Sequence, residues 1–260
     1  IINALGATFN DAVAGTINNG SGTNAFNNAG TFQTSFASGT TTIGVTFNNT
    51  GSVQVGTGGT LNLSGGGTST GGSFTGGGTL QFGGGTYTLD AASTISTANA
   101  IFSAGTTTLA GTYSATNTTL SGGTLTTGSS PITLGTNFTH AGGTLSGSGT
   151  VTVTGLASFT AAGNYMVETG SGTTELQGGG VLSSGFLALD GGRGGHGIPE
   201  GPGGKDRPRA HDASGNPPRA AFLAEPEEDI GEPFFAVLVN DMPAGQLLPA
   251  IHPHIQRFIG

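Results

Sequence analysis

Apolar and polar residues alternate in short stretches through most of the chain before Asp190. The stretch VTFNNTGSVQVGTGGTLNLSGGG, residues 45–67, is typical, because an apolar residue recurs at almost every second position and no residue is charged. Alternation over four to six residues is the period of a β-strand with one buried face. We therefore predict that Leu61 and Leu63 point to one side of a strand, and that Thr60 and Asn62 point to the other.

The alternating stretches begin with Gly-Thr or Gly-Ser and return at a nearly constant interval. Gly59 is followed by Gly78, and Gly85 by Gly105, at almost the same distance along the chain. Glycine pairs and triplets between the stretches are typical of turns. A period of about 20 residues indicates a solenoid or another repeat array. The units read GTFQTSF at Gly30, GSVQV at Gly51, GTLNL at Gly59, GTLQF at Gly78, GTYTL at Gly85, GTTTL at Gly105, GTLTT at Gly123, GTVTV at Gly149 and GTTEL at Gly172.

A single coil of about 20 residues cannot bury its apolar side, but stacked coils give each strand a parallel neighbour. We therefore predict that residues 1–190 form an all-β parallel β-solenoid of roughly nine coils. Asparagines at equivalent positions of neighbouring coils are expected to form hydrogen-bonded ladders, as at Asn27, Asn28, Asn48 and Asn49. The alternation argues against a disordered low-complexity chain. The recurring spacing argues against an antiparallel sandwich or barrel.

Amino-acid usage changes sharply near Asp190. All six Lys and Arg residues and ten of the 11 prolines follow it, whereas 40 of the 52 glycines precede it. We predict a solenoid domain at 1–190, a flexible Gly/Pro/charged linker at 191–219 and a small segment at 220–260, in which PFFAVLV is expected to form a short strand. A shifted reading frame after Asp190 is a second explanation of the tail. The two explanations differ in whether another frame of the downstream DNA continues the GGTL-type repeats.

The composition excludes several classes of partner. Charged residues make up 8% of the chain, against about 25% in an average protein, and the net charge is −8. Because phosphate binding needs clustered Lys and Arg, we expect no nucleic-acid partner. The absence of cysteine excludes disulfides and thiolate metal sites. No apolar run approaches the roughly 20 residues of a membrane-spanning helix.

The repeat units resemble the repeat regions of large bacterial surface proteins, namely adhesins of the filamentous-haemagglutinin type and autotransporter passengers. The resemblance covers residues 1–190, is one of composition and period, and carries no functional residue. It implies a right-handed parallel β-helix that is secreted or exposed on a bacterial cell, acts as a stalk or adhesive surface, and contacts glycans or a host or neighbouring cell surface. The chain starts at Ile1 without a basic and apolar leader, so we expect a mature form or a fragment, from which any export signal has been removed. The matching stretches are FNNAGTFQT, FNNTGSVQVGTGGTLNLSGGG, GGGTLQFGGGTYTL, LSGGTLTTG and GGTLSGSGTVTVTG.

Candidate catalytic residues are few in the repeat region. A β-helix carbohydrate-active enzyme, one alternative function, would need two carboxylates facing one cleft. Glu168 and Glu175 are close enough in sequence to share a coil edge, but scattered surface carboxylates are the favoured interpretation. His140 is expected to be a turn residue. We assign no catalytic residue. The acidic residues of this region are Asp11, Asp90, Glu168, Glu175 and Asp190.

Metal binding also finds little support. The stretch LDGGRGGHG after Ala188 has the reverse order of a calcium-binding GGxGxD turn, and His252 and His254 have no third ligand nearby in sequence. We assign no metal-binding or cofactor-binding residue and expect no cofactor.

An ice-binding solenoid is a second alternative function, because files of threonine on one face could match an ordered water lattice. Threonine is also a favoured outward residue of strands. The spacing of the Thr-x-Thr pairs is not constant, which argues against a regular array. The pairs are Thr40/Thr42, Thr86/Thr88, Thr106/Thr108, Thr124/Thr126 and Thr150/Thr152.

Overall fold

The computed structural model describes residues 1–190, 194–196 and 238–239, without the side chains of residues 162–164, 194–196 and 238–239. Within these residues the chain forms 24 β-strands and no helix. The strands are β1 (Ile2–Asn3), β2 (Thr8–Asp11), β3 (Thr16–Ile17), β4 (Ala25–Asn28), β5 (Thr31–Thr34), β6 (Gly39–Ile43), β7 (Thr46–Asn49), β8 (Ser52–Val55), β9 (Gly59–Leu63), β10 (Gly67–Ser69), β11 (Ser73–Leu89), β12 (Thr94–Leu109), β13 (Thr112–Tyr113), β14 (Asn117–Leu120), β15 (Thr124–Thr127), β16 (Ile132–Thr133), β17 (Asn137–His140), β18 (Gly143–Gly147), β19 (Thr150–Val153), β20 (Ala157–Thr169), β21 (Thr173–Leu176), β22 (Gly180–Leu189), β23 (Gly194–His196) and β24 (Leu238–Val239).

The chain winds through three faces in the same order in every coil. The first face starts with β1, β4, β7 and β10, the second with β2, β5 and β8, and the third with β3, β6 and β9. The longest strands bend around corners, so that β11 and β12 each contribute to all three faces. Every strand pairing in the described residues is parallel, and about nine coils are stacked. This is the predicted parallel β-solenoid, and the antiparallel alternative is wrong.

Equivalent residues of successive coils stand on top of one another. One inward position on the first face is occupied by one residue of each successive coil. The intervals along the chain between these residues are 21, 20, 20, 20, 18, 20, 23 and 21 positions. The predicted period of about 20 residues is therefore confirmed. The number of residues per coil varies because the turns between the strands differ in length. This file is Phe26, Phe47, Gly67, Tyr87, Thr107, Leu125, Leu145, Glu168 and Leu189.

The core is a set of continuous files of apolar side chains. On the third face Ile43, Leu63, Phe82, Phe102 and Leu120 follow one another and are at most 2% exposed. The Phe82 and Phe102 rings are stacked, with centroids 5.3 Å apart. Burying each such side chain stabilises the fold by about 1.5–3 kcal/mol. Because a single coil would leave this surface in water, stacking supplies most of the stability.

Glycine is required where the third face turns into the first. Gly85 and Gly105 stand on successive coils with φ of 62° and 71°, a region that residues with a side chain rarely adopt. A Cβ atom on Gly105 would lie 2.1 Å from the backbone oxygen of Gly85. The close approach of one coil to the next thus explains why the repeated unit begins with glycine.

The predicted linker, 191–219, and the predicted segment, 220–260, lie outside the described residues except for two short strands. β23 pairs with β21, and β24, which falls within the predicted PFFAVLV strand, pairs with β22.

In the part of the chain that the structure describes, no helix is long and apolar enough to cross a membrane.

We predict that Gly105→Ala lowers the free energy of unfolding by about 1–3 kcal/mol or more, because alanine must adopt a positive φ and meets the neighbouring coil. Urea unfolding followed by circular dichroism measures the loss. Gly20→Ala is the matched control, since a Cβ at Gly20 meets no atom within 4 Å. Equal effects of the two substitutions would contradict the stacked corner.

Candidate functional surface and buried polar cluster

Eight hydroxyl side chains form a regular strip on the outer side of the first face. Thr86, Thr106, Thr124 and Thr144 are register partners in one file. The second file runs parallel to it, two positions further along each strand. We call these two files the threonine strip. Its second file is Thr88, Thr108, Thr126 and Ser146.

The threonine strip corrects the expectation that the Thr-x-Thr pairs form no regular array. The pairs beginning at Thr86, Thr106 and Thr124 are unequally spaced along the chain, yet they stack in register. The difference in spacing arises in the turn from the first face to the second, which comprises residues 90–93 in one coil and residues 110–111 in the next, and Thr94 and Thr112 beyond it are again register partners. The pairs at Thr40 and Thr150 lie on the third and second faces.

Asparagine ladders occur on both sides of the first face, as predicted. Outside, the Asn48 side-chain amide donates to the Asn27 Oδ1 atom at 2.9 Å. Inside, Asn28 donates to Asn49 at 2.8 Å and accepts from Asn3 at 2.7 Å. Asn28 is 1% exposed. The inner ladder therefore fills the core position that leucine occupies in later coils, at Leu89 and Leu109.

A third ladder on the outer side of the third face was missed by the sequence analysis. Asn117 donates to Asn99 at 3.0 Å, and Asn137 donates to Asn117 at 2.9 Å. Asn117 and Asn137 share the local sequence Thr-Asn-x-Thr, but Asn99 does not. The available signal was their spacing along the chain, which is one coil in each case.

The two candidate carboxylates, Glu168 and Glu175, do not form a catalytic pair. Glu175 lies on the outer side of β21, where the Gln177 amide donates to it at 3.2 Å, whereas Glu168 points inward. Asp90 lies in a turn and accepts hydrogen bonds from the Gly71 backbone N–H and the Ser93 hydroxyl, which hold the pKa of that carboxyl below its usual range. Glycoside hydrolysis needs two carboxylates that converge on one groove. Glu168 and Glu175 do not converge in this way, because they lie on opposite sides of the coil wall.

Three polar side chains, one from each face, lie together inside the solenoid. His140 is 0% exposed, Glu168 is 2% exposed and Thr174 is 5% exposed. Each interrupts an apolar file: Glu168 follows Leu145, and Thr174 follows Val151. We call these three side chains the buried cluster. The expectations of a turn histidine and of a surface carboxylate at residue 168 were wrong.

The buried cluster is organised around the Glu168 carboxylate. Thr174 Oγ1 donates to Glu168 Oε2, and His140 Nδ1 lies 3.9 Å from Glu168 Oε1. The other imidazole nitrogen, Nε2, lies 3.3 Å from the Gly143 carbonyl oxygen, so Nε2 carries a proton if it donates there. The rings of Phe138 and Phe159 flank the imidazole, with centroids 5.7 and 6.1 Å away.

The sequence contained a signal for the buried cluster. In β17 the alternation places His140 on the side of Phe138, and in β20 it places Glu168 on the side of Met166. Because both apolar neighbours are buried, the polar residues two positions further on point inward as well. The buried position excludes direct contact with a large substrate. Among the described residues no group of three or more His, Cys, Asp or Glu side chains could hold a metal ion.

No family model matches this chain, and no curated protein or solved structure matches it. The resemblance to bacterial surface repeat proteins accordingly remains a prediction from the repeat pattern.

We predict that Asn28→Ala lowers the free energy of unfolding by about 2–4 kcal/mol. The substitution removes bonds from Asn3, to Asn49 and to the Ser52 carbonyl oxygen, each of which contributes about 0.5–1.5 kcal/mol. Asn27→Ala, at the neighbouring exposed position, is the control and should cost under about 1 kcal/mol. Urea unfolding measures both, and a larger loss for Asn27→Ala would show that the two ladders are assigned to the wrong sides.

Proposed function

We propose that residues 1–190 are a structural or adhesive segment of a secreted or bacterial cell-surface repeat protein. The segment acts without catalysis, as a rod whose outer faces make many weak polar contacts. Glycans or the surface of a host or neighbouring cell are its proposed partners. The observation that carries the proposal is the continuity of outward threonine, serine and asparagine files over successive coils.

The chemistry of the outer faces supports repeated contacts with neutral groups. Hydroxyl and amide side chains both donate and accept hydrogen bonds, as sugar hydroxyls do. Residues 1–190 include no Lys or Arg and only five carboxylates, so the surface offers little attraction to strongly charged partners. Each neutral hydrogen bond contributes about 0.5–1.5 kcal/mol, so useful affinity needs several coils to bind together.

The test is binding of the full chain to a panel of immobilised neutral polysaccharides, such as mannan, dextran and chitin, with heparin as the anionic comparison. We expect slow dissociation from at least one neutral polymer and no retention on heparin. Thr88→Ala should weaken binding less than about tenfold, while Thr88→Ala, Thr108→Ala and Thr126→Ala combined should weaken it much more.

Two results would contradict the adhesive proposal. One is the absence of binding to every neutral polymer and to intact cells. The other is loss of all binding after one outward substitution, which would indicate a single pocket.

A second candidate function is ice binding, and the threonine strip is the observation that favours it. Threonine presents a hydroxyl and a methyl group together. Three consecutive coils repeat the threonine pair, and the fourth has Thr144 with Ser146, at the strand spacing of about 4.8 Å and without a register shift between them. A regular array of this kind could order water in a lattice rather than in scattered hydration sites.

We predict that, if the threonine strip binds ice, the full chain slows ice recrystallisation and Thr106→Tyr abolishes the effect by breaking the array. Thr79→Tyr, on the outer side of the third face, is the matched control and should retain the activity. Microscopy of annealed ice wafers measures the crystal size. Crystals that grow as they do in buffer would rule out this candidate.

A further inference from the structure

The first coil ends in an exposed loop that lies outside the stacked register. Residues 18–24 connect β3 to β4, where the chain turns from the third face into the first, and all of them are exposed. The equivalent turn comprises residues 44–45 in the next coil and residues 64–66 in the coil after it. Because the loop takes part in none of the described strand pairings, its backbone is held less tightly than the strands.

The loop contains Asn19-Gly20, the only Asn-Gly pair in the chain. A Cβ atom on Gly20 would meet no atom within 4 Å, so the space around this peptide bond is open. Within the loop, the hydrogen bond between described residues runs from the Asn24 side-chain amide to the Ser21 carbonyl oxygen, at 2.9 Å. No described residue accepts a hydrogen bond from the Asn19 side chain or from the Gly20 N–H.

The asparagines of the inner ladder are held firmly by comparison. The N–H of Ala29, which follows Asn28, donates to the Asn3 carbonyl oxygen at 2.8 Å. The N–H of Thr50, which follows Asn49, donates to the Asn28 carbonyl oxygen at 2.8 Å. The side-chain amides of these asparagines are hydrogen-bonded as well. A reaction between such a side chain and the next backbone nitrogen would have to break both sets of bonds.

We propose that Asn19 is a site of spontaneous deamidation, with water as the co-reactant. Asparagine is chemically labile in this way when its side chain can reach the next backbone nitrogen. The nitrogen of Gly20 attacks Asn19 Cγ, so that an N–Cγ bond forms and the Cγ–Nδ2 bond breaks. The side-chain amino group leaves as ammonia with the hydrogen from the Gly20 nitrogen, and a five-membered succinimide ring remains.

Water then opens the succinimide ring at one of two bonds. Breaking the bond between the ring nitrogen and Cγ gives aspartate. Breaking the bond between the ring nitrogen and the main-chain carbonyl carbon gives isoaspartate. Neither step oxidises or reduces any atom.

Glycine after the asparagine favours ring closure. It has no Cβ atom to obstruct the approach of the two groups, and its backbone adopts conformations that other residues avoid. The attacking nitrogen must lose its proton, so the reaction is faster at higher pH.

The reaction adds a negative charge to a nearly uncharged part of the solenoid. Residues 1–89 contain one acidic side chain, Asp11, and no Lys or Arg. Isoaspartate also lengthens the main chain by one methylene group. Because the loop is exposed and unpaired, it accommodates this change without disturbing the stacked coils, and the urea midpoint of the deamidated protein should equal that of the intact protein.

Incubation of the full chain between pH 7 and 9, followed by peptic digestion and mass spectrometry, tests the proposal. Pepsin is suitable because residues 1–190 contain no Lys or Arg for trypsin to cleave. We expect a gain of about 1 Da in the peptide that contains Asn19, located by its fragment ions and faster at higher pH. The rate should lie within about fivefold of the rate for the chain unfolded in urea, because the fold does not protect the loop.

Three substitutions separate the effect of sequence from the effect of structure. Gly20→Ala should slow the gain by about tenfold or more, and Asn19→Gln should remove it from this peptide. Ala29→Gly is the matched control, since it creates a second Asn-Gly pair within the inner ladder. In that variant Asn28 should stay intact in the folded chain and react in urea.

Three results would overturn the proposal. One is a folded chain that stays intact at Asn19 while the urea-unfolded chain reacts there. Another is a rate at Asn28 in folded A29G equal to the rate at Asn19. The third is an undiminished rate in G20A. If A29G does not fold, as judged by circular dichroism, the comparison of folded with unfolded wild type and the effect of G20A decide the question.

Discussion

The parallel pairing of each coil with the next is the interaction on which the rest of the structure depends. It satisfies the backbone hydrogen-bonding groups of strands that have a neighbour on both sides and also places equivalent side chains directly above one another. The apolar files, the asparagine ladders and the threonine strip all follow from that register. So does the need for glycine at the corner of Gly85 and Gly105, because neighbouring backbones approach there too closely for a side chain.

The register also determines which polar residues the core tolerates. Asn28 is stabilised inside because Asn3 and Asn49 lie at the same position of the adjacent coils. The buried cluster follows another rule, since its members come from three different faces. Glu168 is accommodated because His140 and Thr174 reach the same place from the third and second faces. Buried polar groups are retained here where the fold supplies partners.

Most of the fold could be predicted from the sequence because the controlling signals are local and repeated. Alternation identified Leu61 and Leu63 as inward residues, and the spacing of the Gly-Thr units indicated the length of one coil. The stacking of Thr106 on Thr124 was not predicted, because turns of unequal length hide a common register from any fixed spacing. The meeting of His140 with Glu168 was not predicted either, since it depends on where two different faces converge.

The most direct test of the stacked register is a series of distances between pairs of spin labels, since the chain contains no cysteine of its own. One label is attached through Thr88→Cys, and the second through Thr108→Cys, Thr126→Cys or Ser146→Cys in turn. Electron paramagnetic resonance should give separations of roughly 5, 10 and 14 Å, rising by about 4.8 Å per coil. Separations of roughly 25 Å or more that grow with the square root of the intervening length, as in a flexible chain, would contradict the account.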